Sequence, residues 1–116
     1  MSPQTIESTV RLVPYSDVDK LPWHELAGAV GVDCKTLYAA ESAVAGLLRL
    51  RPGAEEPSHL HLDREHHLWV LVGSVTVGGT ELVAGSYLHV PRGVRHTLHD
   101  GGTGSLLFYV HGQAAS

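Results

Sequence analysis

Glycine and proline recur at short intervals along the chain and leave little room for a long helix. The short runs between them are rich in Val, Leu, Thr and Tyr, residues that fit β-strands well. Many short strands joined by close turns are typical of an all-β sandwich or barrel. We predict nine strands, over residues 10–13, 35–39, 44–50, 66–72, 74–77, 80–82, 86–90, 94–99 and 105–110.

The clearest turn signal is the pair Gly78-Gly79, which separates two of the predicted strands. Glycine accepts the positive φ that a two-residue hairpin turn requires, so this pair predicts a tight hairpin. Residues 16–32 are less decided. Their apolar residues, Trp23 among them, fit either one face of a short helix or a lid-like loop.

A single domain is expected, because 116 residues supply one hydrophobic core. We divide it into an N-terminal arm and loop (1–34), a barrel (35–111) and a tail (112–116). The net charge of −4, without a basic cluster, argues against a nucleic-acid partner. No apolar run approaches a membrane span or a signal-peptide core, so we expect no membrane association and a cytoplasmic location. The lone Cys34 fits a reducing compartment.

Histidine is unusually frequent: the chain has nine, and seven of them lie between positions 59 and 99. His59 and His61 are two residues apart, so in an extended strand both side chains point to the same face. His66 begins a later apolar run, and His96 follows a Pro-Arg-Gly turn. Converging imidazoles favour a divalent transition metal over magnesium or calcium.

Two segments resemble the two conserved motifs of the cupin family. The first is Gly53-x5-His59-x-His61-x4-His66-x6-Gly73, and the second is Gly85-x5-Pro91-x-Gly93-x2-His96. The resemblance implies a double-stranded β-helix, the jelly-roll cupin barrel, with metal ligands at His59, His61 and His96. Two spaced motifs form a specific signal, whereas a lone His-x-His pair would be weak.

The third ligand position of the first motif departs from the family pattern, which usually has a carboxylate where this chain has His66. Glu65 is adjacent, and some related cupins place their Glu at that earlier spacing. Strand alternation groups His66 with Leu68 and Val70, whereas a one-residue slip or a bulge would aim Glu65 inward. We predict His66 as the ligand. Glu65 then remains a candidate acceptor that orients the imidazole of His66.

The other histidines receive no role from the sequence. Alternation turns His67 and His99 away from the predicted ligands, and His89 is interpreted as structural. His24 and His111 are isolated in the sequence, and surface positions are expected for both.

Four neutral imidazoles would leave the positive charge of the metal uncompensated, so the site should favour an anionic chelating substrate. The resemblance extends to dioxygenases that cleave β-diketones or dihydroxyacetophenones with ferrous iron. It also extends to zinc-dependent polyketide cyclases and to the cupin domains of anti-sigma factors. Fe²⁺ is therefore the favoured ion, with Zn²⁺, Ni²⁺ or Mn²⁺ as alternatives.

We expect a non-haem iron dioxygenase that acts on a small diketone, hydroxyketone or phenolic substrate. Two alternatives stay open: a non-catalytic module that senses a metal or ligand, and a zinc-dependent cyclase or isomerase without redox chemistry. Small cupins commonly pair, because an edge or N-terminal strand can extend the sheet of a neighbour. A homodimer is therefore expected, with residues 4–13 as its arm.

Overall fold

The structure, a computed structural model, describes residues 11–59 and 64–113, while the side chains of 57–59 and Gln113 lie outside that description. Among the described residues, one short helix, α1 (Tyr15–Lys20), precedes ten strands. The strands are β1 (His24–Glu25), β2 (Val32–Ala39), β3 (Ala43–Leu50), β4 (Glu55–His59), β5 (Arg64–Val72), β6 (Ser74–Val77), β7 (Thr80–Val83), β8 (Tyr87–Val90), β9 (His96–Asp100) and β10 (Ser105–Gln113).

The strands form two antiparallel sheets. One has six strands in the order β1-β2-β3-β10-β5-β8, and the other has four in the order β4-β9-β6-β7. Strands that are distant in sequence, such as β3 and β10, are neighbours in the larger sheet. This non-local antiparallel pairing in two sheets is the jelly-roll arrangement, so the predicted all-β jelly roll is confirmed.

The hydrophobic core lies between the two sheets and follows the two-residue period of the strands. His66, Leu68 and Val70 of β5 are buried, and the residues between them are more exposed. Leu98 of β9 is 0% exposed and contributes to the core from the opposite sheet. Alternation therefore decides which side chains of each strand face the barrel interior.

Two N-terminal expectations need revision. Residues 11–13 form no strand, and the rest of the expected arm, residues 4–10, lies outside the described residues. Residues 15–31 form helix α1, the two-residue strand β1 and tight turns, which is neither of the two predicted alternatives alone. Their position is fixed by Trp23, whose ring lies 4.6 Å from Nζ of Lys35 and 4.2 Å from Cζ of Arg49. Such contacts between distant segments leave no local pattern in the sequence.

The predicted hairpin is confirmed: β6 pairs with β7 across Gly78 and Gly79, whose φ angles are +56° and +81°. At the other end of the chain, β10 runs to Gln113 and so extends beyond the predicted strand end at residue 110. In the described residues, no helix has both the length and the apolar composition needed to span a bilayer.

One carboxylate organises the loop between β9 and β10. Oδ2 of Asp100 accepts hydrogen bonds from the backbone N–H groups of Gly53, Gly102 and Gly104, at 3.0, 2.8 and 3.0 Å. Burial raises the pKa of Asp100, but the three backbone hydrogen bonds outweigh this effect, so the pKa lies below its usual value. The ionised carboxylate therefore stabilises the folded state.

Replacing Asp100 with Asn should lower the free energy of unfolding by about 1–2 kcal/mol at neutral pH, because charge-assisted bonds are lost. Since the folded pKa lies below the unfolded value of about 3.9, this contribution is present above about pH 4. It is lost as the pH falls through the folded pKa. Urea unfolding of the native and variant proteins should show a difference in the free energy of unfolding, and this difference should become smaller in acid.

The control is Asp19→Asn, because Asp19 is exposed on α1. A difference independent of pH would contradict the assignment.

Candidate metal centre

Two of the predicted ligands meet inside the barrel. His66 on β5 is 9% exposed and His96 on β9 is 7% exposed. Their ring centroids are 5.7 Å apart, with the ring planes tilted by 55°. Because β5 belongs to the larger sheet and β9 to the smaller one, the pair bridges the two sheets.

The other two predicted ligands belong to the end of β4 and the segment that follows it. His59 is the Cα partner of His96 in the β4–β9 pairing, which brings its backbone beside the centre. The side chain of His59 and the whole of His61 lie outside the described residues. Their roles as ligands therefore stay predictions.

Glu65 lies on the opposite face of β5 from His66. Its Oε1 is 2.6 Å from Nε2 of His89, and its side chain is 31% exposed. Adjacent residues of a strand project to opposite faces, so the carboxylate contacts His89 on the outer face of the sheet. The burial pattern of β5 is the one that the unshifted strand register predicts.

A buried carboxylate that the sequence did not indicate lies next to His96. Glu56 is 7% exposed, and its Oε1 is 3.8 Å from Nε2 of His96. Alternation counted back from His59 would place Glu55, not Glu56, on the His59 face. The β4–β9 register shifts between Glu56 and His59, and this irregularity turns Glu56 inward. The clue in the sequence was Pro57, which cannot donate a ladder hydrogen bond and is common at bulges.

His111 is half-buried and lies against the buried ring of His66, so the expected surface position was wrong. Its ring stacks on that of His66, with centroids 4.7 Å apart and planes within 12°. Tyr109 stacks in turn on His111, with centroids 5.8 Å apart. The error came from ending the strand at residue 110, because continued alternation from Leu107 through Tyr109 points His111 inward.

Tyr109 can lie flat across the sheet because its neighbour on β3 is a glycine. A Cβ on Gly46 would lie 2.8 Å from the Tyr109 hydroxyl, closer than side chains tolerate. Burial raises the pKa of Tyr109, Cys34 and Glu56 add to the rise, and a hydrogen bond with Thr36 partly offsets it. The phenol is therefore protonated at neutral pH and can donate a hydrogen bond.

Cys34 lies near Glu56 in the polar part of the interior. Burial raises the pKa of the Cys34 thiol, and the carboxylates of Asp33 and Glu56 raise it further. The thiol is therefore protonated at neutral pH and a poor nucleophile. The side chain of Cys34 is half-buried.

The residues present suit a transition metal. Two imidazoles bound to one ion at about 2.1 Å place their ring centroids about 5–6 Å apart, as His66 and His96 do. Within the side chains that the structure describes, no three His, Cys, Asp or Glu form a complete metal-binding group. Completing the group therefore depends on His59 and His61.

Comparison with known proteins decides the family. Residues 14–115 match the family model described as the ChrR cupin-like domain. The chain is a cupin. The comparison with curated protein sequences gives no match.

Solved structures support the same fold. The polyketide cyclase RemF from Streptomyces resistomycificus superposes on this cupin with a TM-score of 0.76 at 21% identity, covering 92% of this chain and 81% of RemF. An RmlC-like cupin from Shewanella frigidimarina gives a TM-score of 0.71 at 24% identity, covering 84% and 88%. The complex of SigE with the anti-sigma ChrR from Rhodobacter sphaeroides gives 0.68 at 23% identity, covering 83% of this chain and half of its match. At these identities the likeness shows the fold alone.

Proposed function

We propose that this cupin is a metal-dependent enzyme that acts on a small, chelating, oxygenated molecule. The proposal rests on one observation, the pair of buried imidazoles of His66 and His96. They come from different sheets, and their ring centroids are 5.7 Å apart. Imidazole is the commonest protein ligand of divalent transition metals, and two rings that converge from different strands suit one shared ion. We assign the ligands as His59, His61, His66 and His96.

The choice of His66 over Glu65 rests on burial and contacts. His66 faces the barrel interior with Leu68 and Val70, whereas the carboxylate of Glu65 contacts His89 on the outer face. Exchanging the two would shift β5 by one residue and expose those apolar side chains. The apolar core therefore supports His66 as the ligand.

The bound ion, for which we favour Fe²⁺ over Zn²⁺, Ni²⁺ or Mn²⁺, would act as a Lewis acid towards neighbouring oxygens of the substrate. A set of four neutral imidazoles adds no negative charge, which favours substrates that bind as anions. Diketones, hydroxyketones and phenols have this chemistry, and oxidative cleavage by a dioxygenase is the proposed reaction.

The chain's own residues supply the remaining polar contacts. Glu56 lies beside His96, with Oε1 3.8 Å from Nε2, so a small movement would let its carboxylate accept a hydrogen bond from that ring and hold its orientation. The Tyr109 hydroxyl keeps its proton at neutral pH and can donate to a substrate oxygen. Leu68, Val70 and Leu98 form an apolar wall that keeps water from this region.

Two other functions have specific support. The family model named for ChrR, together with the likeness to the SigE–ChrR complex, favours a non-catalytic sensing module that binds a protein partner. The likeness to the polyketide cyclase RemF favours a zinc-dependent cyclase or isomerase without redox chemistry. Two measurements separate these functions from a dioxygenase: the identity of the bound metal, and whether the reaction consumes oxygen.

The test is metal analysis of protein purified without chelator, followed by oxygen-uptake assays with 1,3-dicarbonyl and hydroxyketone compounds. Stoichiometric iron with uptake that depends on both substrate and iron would support the dioxygenase. Zinc with no uptake would instead support the cyclase or the sensor. A His96→Ala variant serves as the control, because any uptake that it retains does not come from this centre.

A further inference from the structure

A half-buried cation lies beside the candidate metal centre. Arg64 begins β5 two residues before His66, so strand alternation puts both side chains on the same face of that strand. Nη1 of Arg64 lies 3.2 Å from Nδ1 of His111, the residue whose ring stacks on that of His66. These contacts place the guanidinium group at the edge of the centre.

The contact between Arg64 and His111 has a fixed direction. A guanidinium group only donates hydrogen bonds, so Nδ1 of His111 is the acceptor. The imidazole of His111 is then neutral and carries its hydrogen on Nε2. His111 therefore holds Arg64 in place and adds no charge of its own.

The positive charge of Arg64 is not matched by a carboxylate of the described residues, because none of their ion pairs involves it. Glu65, the adjacent carboxylate, contacts His89 on the outer face of the sheet instead. Nη2 of Arg64 lies 3.5 Å from the backbone carbonyl of Glu41, which is a neutral acceptor. A guanidinium group has five N–H donors, so these contacts leave others for an anion. A cation that is partly removed from water is stabilised by such a partner.

The distance between Arg64 and the centre limits what the cation can bind. Residues two apart in a strand are about 7 Å apart along it, so Arg64 lies about that far from His66. A molecule that chelates an ion at His66 and His96 therefore reaches Arg64 only with a group a few bonds beyond its chelating oxygens. A carboxylate suits this position, because its two oxygens accept parallel hydrogen bonds from one guanidinium group.

We propose that Arg64 binds a carboxylate of the substrate, which a short spacer separates from the oxygens that chelate the metal. This inference rests on the proposed function and narrows its substrate class to diketones, hydroxyketones or phenols that also carry a carboxylate. His111 is a positioning residue, because it acts by holding the guanidinium group through Nδ1.

The test compares two ligands, 4,6-dioxoheptanoate and its methyl ester, by isothermal titration calorimetry with the Fe²⁺-loaded full chain in the absence of oxygen. Both compounds carry the same 1,3-diketone, and they differ only in the charge at the other end. The native protein should bind the acid at least about tenfold more tightly than the ester, because only the acid forms a charge-assisted pair with Arg64.

Arg64→Gln should weaken binding of the acid by about tenfold or more and leave binding of the ester unchanged. Arg51→Gln is the matched control, because it removes the same charge at the far end of the sheet. Arg51 follows the strand partner of Ser105, whereas Arg64 pairs with Gln113, about 25 Å away along β10. His111→Phe keeps an aromatic ring but has no acceptor for Arg64, so it should reduce the preference for the acid without changing the affinity for the ester.

Two results would overturn the proposal. The first is a native protein without preference for the acid, which includes the case that Arg64 already holds a carboxylate of residues 60–63. The second is a preference that survives Arg64→Gln. Metal content after dialysis is measured separately for every variant. A native protein that retains metal and binds the ester but shows no preference contradicts this proposal alone, whereas one that retains no metal contradicts the proposed centre.

Discussion

Replacing His96 with Ala is expected to abolish the retention of a divalent metal while the barrel stays folded. His96 is 7% exposed and lies between the two sheets, so its removal takes one imidazole away from the proposed centre. Loss of one ligand should weaken binding by at least about a hundredfold, more than loss of a hydrogen-bond partner of a ligand. Metal content after dialysis and direct titration with Fe²⁺ or Zn²⁺ measure the effect.

The matched control is His99→Ala. His99 belongs to the same strand but lies on its exposed side, with 52% of its side chain accessible. This variant should retain metal at the native stoichiometry. Equal retention in His96→Ala and His99→Ala would remove the proposed centre.

The same approach decides between His66 and Glu65. His66→Ala should lose the metal, and His66→Glu should keep it, because a carboxylate at that position also binds divalent ions. Glu65→Ala should lose only its contact with His89 and keep the metal. Metal loss confined to Glu65→Ala would mean that β5 carries its ligand one residue earlier.

The second large effect concerns stability. Gly73 links β5 to β6 with a φ of +76°, and a Cβ there would clash with the carbonyl oxygen of Gly104. Gly73→Ala therefore combines backbone strain with a contact that neither backbone can relieve. We expect a loss of about 2–4 kcal/mol, or roughly 10 °C in Tm, in thermal and urea unfolding.

Gly78→Ala provides the comparison. Gly78 also has a positive φ, +56°, but a Cβ at Gly78 would meet no atom within 4 Å. Strain alone should cost about 1 kcal/mol. If both variants lose the same stability, the contact between Gly73 and the β9–β10 loop has no energetic role.

Much of the fold could be predicted because jelly-roll strands alternate and turn at glycine. The run from His66 to Val72 shows this, since its apolar period fixed which residues face the core. The family motifs added the histidine positions. Together these signals indicated His66 and His96, which the structure brings together inside the barrel.

The features that the sequence did not predict depend on irregular strand pairing and on contacts between segments that are distant in the sequence. Glu56 faces inward because the register shifts in β4, and alternation cannot reveal such a shift. His111 reaches His66 because β10 continues past residue 110. Trp23 is held by Lys35 and Arg49, two residues brought together by strand pairing. Each of these depends on geometry that forms only when the chain folds.

The two central imidazoles are carried by different sheets, and this has a mechanical consequence. An ion bound by both His66 and His96 would cross-link the two sheets. Sliding or separation of the layers would then stretch the bonds to the ion. Occupancy of the centre and resistance of the barrel to opening should therefore rise and fall together.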